Sequence, residues 1–213
     1  MNFSAMNSSL WQYSLEDFGE RVAGTDSTVA GAAVATVTAA WSAGLIAMVL
    51  RVIAARKDFA GDRGHVDVLI EGARSEAARL KKYADADPEA YAGYLQARRL
   101  PRNTDEEREA REEAMARALR RATAVPLAAA RAAAAALELC QEAAVLASGP
   151  VTADLRAAAL LLAGAISALL LTVDANLPSL GESPFAREAA AERGALEDRA
   201  SRIAAALRQT GPA

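Results

Sequence analysis

The stretch that decides the fold is VAGAAVATVTAAWSAGLIAMVL, residues 29–50, which contains no charged residue. A second uncharged stretch, AAALLLAGAISALLLTV, covers residues 157–173. Alanine is the strongest helix former and leucine follows closely, and neither stretch has the strict alternation of a β-strand. A helix that is apolar on all sides is buried in a protein core or in a membrane. We therefore predict an all-α bundle with two long central apolar helices.

Composition favours a protein core over a membrane. The first stretch is rich in Ala, Gly and Thr, and the second is shorter than the roughly 20 residues that a membrane helix needs. The N-terminus lacks the basic flank and apolar run of a signal peptide. The formal net charge of -3 predicts no basic surface for nucleic acid or an anionic membrane. We expect a cytoplasmic protein that binds neither nucleic acid nor membrane.

The chain has one cysteine, Cys140, and one histidine, His65. A single cysteine excludes an intrachain disulfide, and the apolar neighbours of Cys140 predict a buried, inert thiol. Zinc sites and Cys/His or Ser/His catalysis need more of these residues. We therefore expect no metal and no cofactor, with proton transfer by carboxylates, Tyr, Lys or solvent.

Turn signals divide the chain into an arm, residues 1–13, and a single helical domain, residues 14–213. The arm is expected to be loose, or to dock through Trp11 and Tyr13. Asp87 precedes Pro88, which disfavours helical geometry before it, so a helix is predicted to end there and restart with Asp87 as its N-cap. Thr104 and Glu107 form a capping-box pattern. Pro126 predicts a kink or a restart. Ser14 is predicted to cap a short helix through Val22, and Thr152 or Asp154 to cap the helix that ends near Asn176. The other predicted helices cover about 28–57, 65–83, 88–100, 105–125, 126–146 and 184–209.

Three separated stretches carry a family resemblance. The clearest runs from Asp87-Pro-Glu-Ala-Tyr91 through Leu100-Pro-Arg-Asn-Thr-Asp-Glu-Glu107 to Ala122-Thr-Ala-Val-Pro-Leu127. The others are Ala39 to Val49, and Asp154 to the ending Thr172-Val-Asp-Ala-Asn176. In order and spacing they resemble the cyclodeaminase/cyclohydrolase family of folate enzymes. The resemblance implies a helical homodimer that binds a small-molecule folate derivative near its subunit interface and opens or closes a ring on it.

The resemblance also implies site residues, each with a structural alternative. Asp87 is the candidate proton-transfer carboxylate, or only a helix cap. Arg56 and Lys57 match a basic pair that could meet an anionic glutamate tail, or they are a solvated helix end. The remaining candidates for substrate binding are Gly31, Tyr91, Asp154 and Asn176. Their alternatives are core packing for the tyrosine, a cap for Asp154 and a helix stop for Asn176.

The sequence departs from the family at its glycine-rich loop, which reads Ser27-Thr-Val-Ala-Gly-Ala-Ala33 here. Glycine lets a backbone approach a ligand closely, whereas alanine adds a methyl group and favours helix. Three functions therefore stay open. They are a folate one-carbon enzyme (cyclohydrolase or cyclodeaminase), a cyclase of specialised bacterial metabolism recruited to a non-folate substrate, and a non-catalytic helical dimer.

Overall fold

The computed structural model describes residues 9–25 and 29–209, and within them all regular structure is helical. The described part contains six α-helices, which confirms the predicted fold class. They are α1 (Leu15–Ala23), α2 (Gly31–Ala54), α3 (Arg63–Arg98), α4 (Asp105–Ala144), α5 (Val151–Asn176) and α6 (Pro184–Gln209).

Helices α2 to α5 form an up-and-down four-helix bundle. Helix α2 packs beside α3 and α5, α4 closes the bundle opposite it, and α6 covers the groove between α4 and α5. The two predicted apolar helices are α2 and α5, and both are central. Alanines without exposed surface, among them Ala39 and Ala43 of α2 and Ala130 and Ala133 of α4, fill the core. Such small side chains let neighbouring helices approach closely.

Helix α3 is longer than predicted. It is continuous from Arg63 to Arg98 with Pro88 inside it, so the predicted interruption is wrong and Asp87 is not an N-cap. An interior proline removes one backbone hydrogen bond and costs about 3 kcal/mol. Buried alanines and leucines lie on both sides of Pro88, including Leu80, Ala84 and Ala90. Their packing against the bundle outweighs the local preference of the proline.

Helix α4 also passes through its proline. The capping box of Thr104 and Glu107 is present at its start, as predicted, but the restart predicted at Pro126 is wrong because the helix is continuous to Ala144. The missing N–H of Pro126 would have bonded the carbonyl of Ala122, four residues earlier. Asn176 at the end of α5 donates from Nδ2 to that carbonyl at 3.2 Å and takes its place.

The other predicted helix ends agree with the structure only in part. Ser14 caps α1 by accepting from the backbone N–H of Asp17 at 3.0 Å, as predicted. Neither Thr152 nor Asp154 caps α5, because its N-cap is Pro150 and no side chain bonds there. Helix α2 begins at Gly31 and ends at Ala54, inside the predicted bounds. Its predicted first residue, Thr28, lies outside the described residues.

The part of the predicted arm that the structure describes is docked. Ser9 Oγ and the Leu10 backbone N–H each donate to the Asp85 carboxylate at 2.8 Å. Trp11 donates from Nε1 to the Lys81 carbonyl at 3.1 Å and meets Trp41 edge to face. Residues 9–12 therefore lie along α3, and the docking that the sequence left open for Trp11 is present, while residues 1–8 lie outside the described residues.

Three helical segments are long and apolar enough to cross a membrane by length and composition alone: α2, α4 and residues 151–180, which hold α5 and a short 3-10 helix. In this fold most of the apolar window of α2 and of α4 is buried. Only 44% of the apolar window in residues 151–180 is buried. The apolar window in residues 151–180 is thus the least buried of the three.

Candidate active site

A cavity of about 410 Å³ opens at the end of the bundle where α2 begins and α5 ends. Helix α3 supplies its wall from Asp87 onward, and α4 supplies the opposite wall. Its lining consists of Ala30, Gly31, Ala32, Asp87, Tyr91, Tyr94, Leu119, Ala122, Thr172, Ala175, Asn176 and Ser179. Four of the seven residues predicted to form the site therefore meet there: Gly31, Asp87, Tyr91 and Asn176.

Asp87 is the one charged residue in the lining. Its side chain is half-buried, and burial raises its pKa from 3.8 to about 6. No residue in the described ranges donates a hydrogen bond to this carboxylate. Asp85, by contrast, is occupied by the docked N-terminal segment. A free carboxylate with a pKa near 6 can both accept and return a proton at neutral pH.

Tyr91 and Tyr94 follow Asp87 by four and seven residues, so all three share one face of α3. Both tyrosines line the cavity, and Tyr91 keeps 36% of its surface exposed. Core packing, the alternative for these tyrosines, does not describe Tyr91. The two rings form an aromatic surface that starts beside the carboxylate and leads away from it.

Asn176 ends α5 and also lines the cavity, so its two predicted roles coincide. Its Nδ2 is fixed by the Ala122 carbonyl, while its carboxamide oxygen accepts no hydrogen bond from any residue the structure describes. That oxygen is an acceptor available to a bound molecule. Thr172 and Ser179 add hydroxyl groups to the same end of the cavity.

The start of α2 lines the cavity with backbone and methyl groups. Its N-cap, Ala30, offers no side chain to the first N–H groups, which are left without intrahelical partners. A Cβ placed on Gly31 would meet no atom within 4 Å, so this glycine borders open space. Ser27 and Thr28, the first residues of the altered loop, lie outside the described residues.

The structure does not bring Arg56, Lys57 and Asp154 to the cavity. Arg56 and Lys57 follow the other end of α2, about 35 Å from Gly31 along 24 residues of helix. There Arg56 donates to the Oγ and carbonyl oxygen of Ser148, each at 2.7 Å. Asp154 is exposed in the first turn of α5, and Asn176 lies at the opposite end of that helix.

Sequence reasoning missed the α4 wall and Ser179. Leu119 and Ala122 of α4 line the cavity, and they carry no polar signal that would single them out. Cys140 is buried as predicted, and burial raises the pKa of its thiol to about 12. No group of three or more His, Cys, Asp or Glu residues that could hold a metal ion occurs in the described ranges.

The profile of the family described as Formiminotransferase-cyclodeaminase matches residues 14–195, which include every helix that borders the cavity. The chain belongs to this family. The match confirms the resemblance seen in the motifs around Asp87, Thr104 and Asn176.

Individual relatives agree with this assignment. The chain is 33% identical over 166 residues to the formimidoyltransferase-cyclodeaminase of Sus scrofa, covering 78% of this chain and 31% of that protein. It is thus similar to about a third of that longer enzyme. It is 29% identical over 192 residues to the methenyltetrahydrofolate cyclohydrolase of Methylorubrum extorquens, covering 87% of this chain and 92% of that protein.

A solved structure shows the same fold. The formiminotetrahydrofolate cyclodeaminase from Thermotoga maritima superimposes with a TM-score of 0.84 at 20% identity. The superposition covers 94% of this chain and 96% of that one. The altered start of α2 and the interior proline of α3 therefore leave the family fold intact.

Proposed function

We propose that this member of the formiminotransferase-cyclodeaminase family opens or closes a ring on a tetrahydrofolate derivative. The reaction is either hydrolysis of a methenyl bridge or cyclisation of a formimino group with loss of ammonia. The observation that carries the proposal is the unpartnered Asp87 carboxylate, whose burial raises its pKa to about 6 within the cavity. Relatives named for these two reactions support it.

In hydrolysis, a methenyl carbon held between two nitrogens is already electrophilic because the amidinium group is cationic. Asp87 takes a proton from water as the hydroxyl oxygen bonds to that carbon. The carboxyl group then returns the proton to the nitrogen that leaves as one carbon–nitrogen bond breaks, and the hydroxyl proton goes to solvent as the formyl C=O bond forms. In cyclisation, the substrate's second nitrogen, an amine outside the ring, attacks the formimino carbon and gives its proton to Asp87. Asp87 passes this proton to the ammonia that departs as its carbon–nitrogen bond breaks.

The charge of the lining suits such a substrate. Asp87 contributes the only formal charge, and two aromatic rings lie next to it on α3. A cationic amidinium is attracted both by a carboxylate and by the faces of aromatic rings. It also keeps the pKa of Asp87 from rising further, so the base stays ionised in the complex.

A recruited cyclase acting on a non-folate substrate is the second candidate. The methyl groups of Ala30 and Ala32 line the cavity where the family places glycines, so the backbone there cannot approach a ligand as closely. A non-catalytic helical dimer agrees less well with the structure. The methyl groups leave about 410 Å³ open around a carboxylate without a partner.

We further propose that the active form is a cytoplasmic homodimer that needs no metal or cofactor. Helices α2 and α5 pack side by side, and each carries an exposed apolar stripe. The stripe on α2 contains Trp41, Met48 and Val52, and the stripe on α5 contains Leu160, Leu161 and Leu171. Exposed apolar side chains on two neighbouring helices favour an interaction site, and we assign it to a second copy of the chain.

The test is turnover of methenyltetrahydrofolate, followed by its absorbance, and of formiminotetrahydrofolate, followed by ammonia release. Asp87→Asn keeps the shape of the side chain, and its loss of proton transfer should lower kcat by roughly 100-fold or more. Asp67→Asn is the matched control, since Asp67 is an exposed carboxylate near the start of the same helix. Turnover of neither substrate by the unmodified chain would exclude the folate assignment.

A further inference from the structure

The face of α3 that lines the cavity continues past the cavity to the end of the helix. Asp87, Tyr91, Tyr94 and Arg98 are spaced by four, three and four residues, so they form one stripe along the helix. The first three line the cavity. Arg98 is the last residue of α3 and lies on the surface, where this stripe reaches solvent. A molecule that extends from Asp87 along the two tyrosine rings therefore leads towards Arg98.

The guanidinium of Arg98 lies over the ring of Tyr94, with its carbon 6.0 Å from the ring centroid. Helical side chains lean towards the N-terminus of their helix, and this contact brings the charge back along α3 towards the cavity. Seven residues separate Asp87 from Tyr94, about 10 Å along the helix axis. A negative charge and a positive charge thus lie roughly that far apart along one aromatic wall.

Arg98 has no ion pair or side-chain hydrogen bond within residues 9–25 and 29–209. Its neighbours differ, since Arg117 pairs with Glu113 and Arg121 pairs with Glu89. Arg111 donates from Nε and Nη2 to the Arg98 carbonyl at 3.3 and 3.2 Å, which fixes the end of α3. Arg111 also adds a second positive charge close to the first.

We propose that Arg98 binds the carboxylate end of the substrate whose reacting ring lies at Asp87. The inference rests on the proposed function and deepens it, because it assigns the residue that holds the anionic part. The substrate would then have a cationic ring at one end, an aromatic middle over the tyrosines and a carboxylate at the other end. An unpaired guanidinium binds a carboxylate with two parallel hydrogen bonds.

This assignment replaces the basic pair Arg56 and Lys57 within one chain. Those two residues lie about 35 Å from the cavity, at the far end of α2. The residues outside the described ranges are 1–8, 26–28 and 210–213, and none of them is Lys, Arg or His. The structure therefore describes every Lys, Arg and His residue of the protomer. Among them, Arg98 contacts the lining residue Tyr94.

The experiment compares two substrates, methenyltetrahydrofolate and its diamide, in which both glutamate carboxylates are replaced by neutral amides. In Arg98→Ala the KM for the folate should rise roughly tenfold, since a charged hydrogen bond is lost, while kcat changes less than twofold. The KM for the diamide should not change. Arg98→Lys should give an intermediate KM for the folate, and Arg99→Ala is the control expected to leave both substrates unaffected.

A second measurement separates the role of Arg98 from the reaction. Calorimetric titration with p-aminobenzoylglutamate measures binding without turnover, and Arg98→Ala should weaken it roughly tenfold. If the chain turns over both substrates and Arg98→Ala changes neither KM, this inference is wrong and the proposed function stands. Arg98-dependent binding without turnover would keep the anion site and exclude the folate reaction. Absence of both binding and turnover would overturn both.

Discussion

At the scale of single residues, the placement of Asp87 decides its chemistry. As an N-cap its carboxylate would accept backbone N–H groups, which would lower its pKa and occupy both oxygens. In the interior of α3 the backbone N–H groups are used by the helix, and the side chain is left free at the cavity. Burial then raises the pKa to about 6. Because α3 is continuous, the Asp87 carboxylate is available as a base; at a helix N-cap it would be hydrogen-bonded to the backbone.

The raised pKa predicts a pH-dependent stability. Between pH 3.8 and about 6 the native state binds more protons at Asp87 than the unfolded state does, so stability falls as the pH rises through this window. Above it, ionised Asp87 destabilises the fold by up to about 3 kcal/mol, at 1.36 kcal/mol for each pKa unit. Asp87→Asn removes that charge and should be more stable than the unmodified chain at pH 7.5.

Urea denaturation at pH 7.5 and at pH 4 measures this effect. The stability gained by Asp87→Asn should be largest at pH 7.5 and should vanish near pH 4, where the native carboxyl is already protonated. Asp67→Asn again serves as the control, because Asp67 is exposed and lies away from the cavity. An equal gain at both pH values would show that burial of the charge is not the cause.

At the scale of elements, two helices keep prolines in their interiors, and in α4 the lost hydrogen bond is replaced from another helix. The Ala122 carbonyl, which Pro126 cannot bond, accepts from Nδ2 of Asn176. This contact joins the middle of α4 to the end of α5 at the cavity wall. The side chain that ends one helix therefore completes the backbone of another.

A double-mutant cycle tests this replacement. Asn176→Ala leaves the Ala122 carbonyl without a partner and should cost about 1–3 kcal/mol of stability. Pro126→Ala restores the helical N–H, so Asn176→Ala should cost much less in that background. Urea denaturation of the four proteins gives the coupling energy. Asn103→Ala, at an exposed turn, should change stability by less than about 0.5 kcal/mol. Equal costs in both backgrounds would contradict the replacement.

Sequence patterns of a few residues predicted the structural features that depend only on neighbouring residues. The capping box of Thr104 and Glu107 depends on residues three apart, and it forms as the pattern indicates. The helix break expected at Pro88 and the restart expected at Pro126 do not occur, because burial of distant side chains, and a bond from Asn176, outweigh the local preference of proline. Tertiary contacts of this kind cannot be derived from a window of neighbouring residues.

In the candidate site, too, some residues were predictable from sequence motifs and others depend on the tertiary structure. Asp87, Tyr91 and Asn176 came from motifs, and the fold brings them together. The separation of Gly31 from Lys57 was already implied by the sequence, because both were assigned to the two ends of one predicted helix. Arg98 was missed because no motif marks it, and only the fold places Tyr94, the ring it contacts, in the cavity wall.

At the scale of the whole molecule, the bundle leaves one side apolar. Helix α6 covers the groove between α4 and α5, while the residues of the α2 and α5 stripes keep much of their surface exposed within the described part of the chain. Trp41 is 51% exposed and Leu171 is 65% exposed. In α2, residues 31–50 carry no charge that would keep this side in water. A symmetric pairing of two copies buries the same surface on both.

If the proposed homodimer forms through this side, Leu171→Glu should convert it to a monomer, because a charge would be buried without a partner at the interface. Sedimentation velocity at micromolar concentration measures the mass, and circular dichroism checks that the helices persist. Leu100→Glu is the matched control, since Leu100 is exposed at the turn after α3, outside both stripes. A monomeric unmodified chain that sediments with lipid vesicles would assign this side to a membrane. A monomeric unmodified chain that does not sediment with vesicles would contradict the proposed homodimer interface.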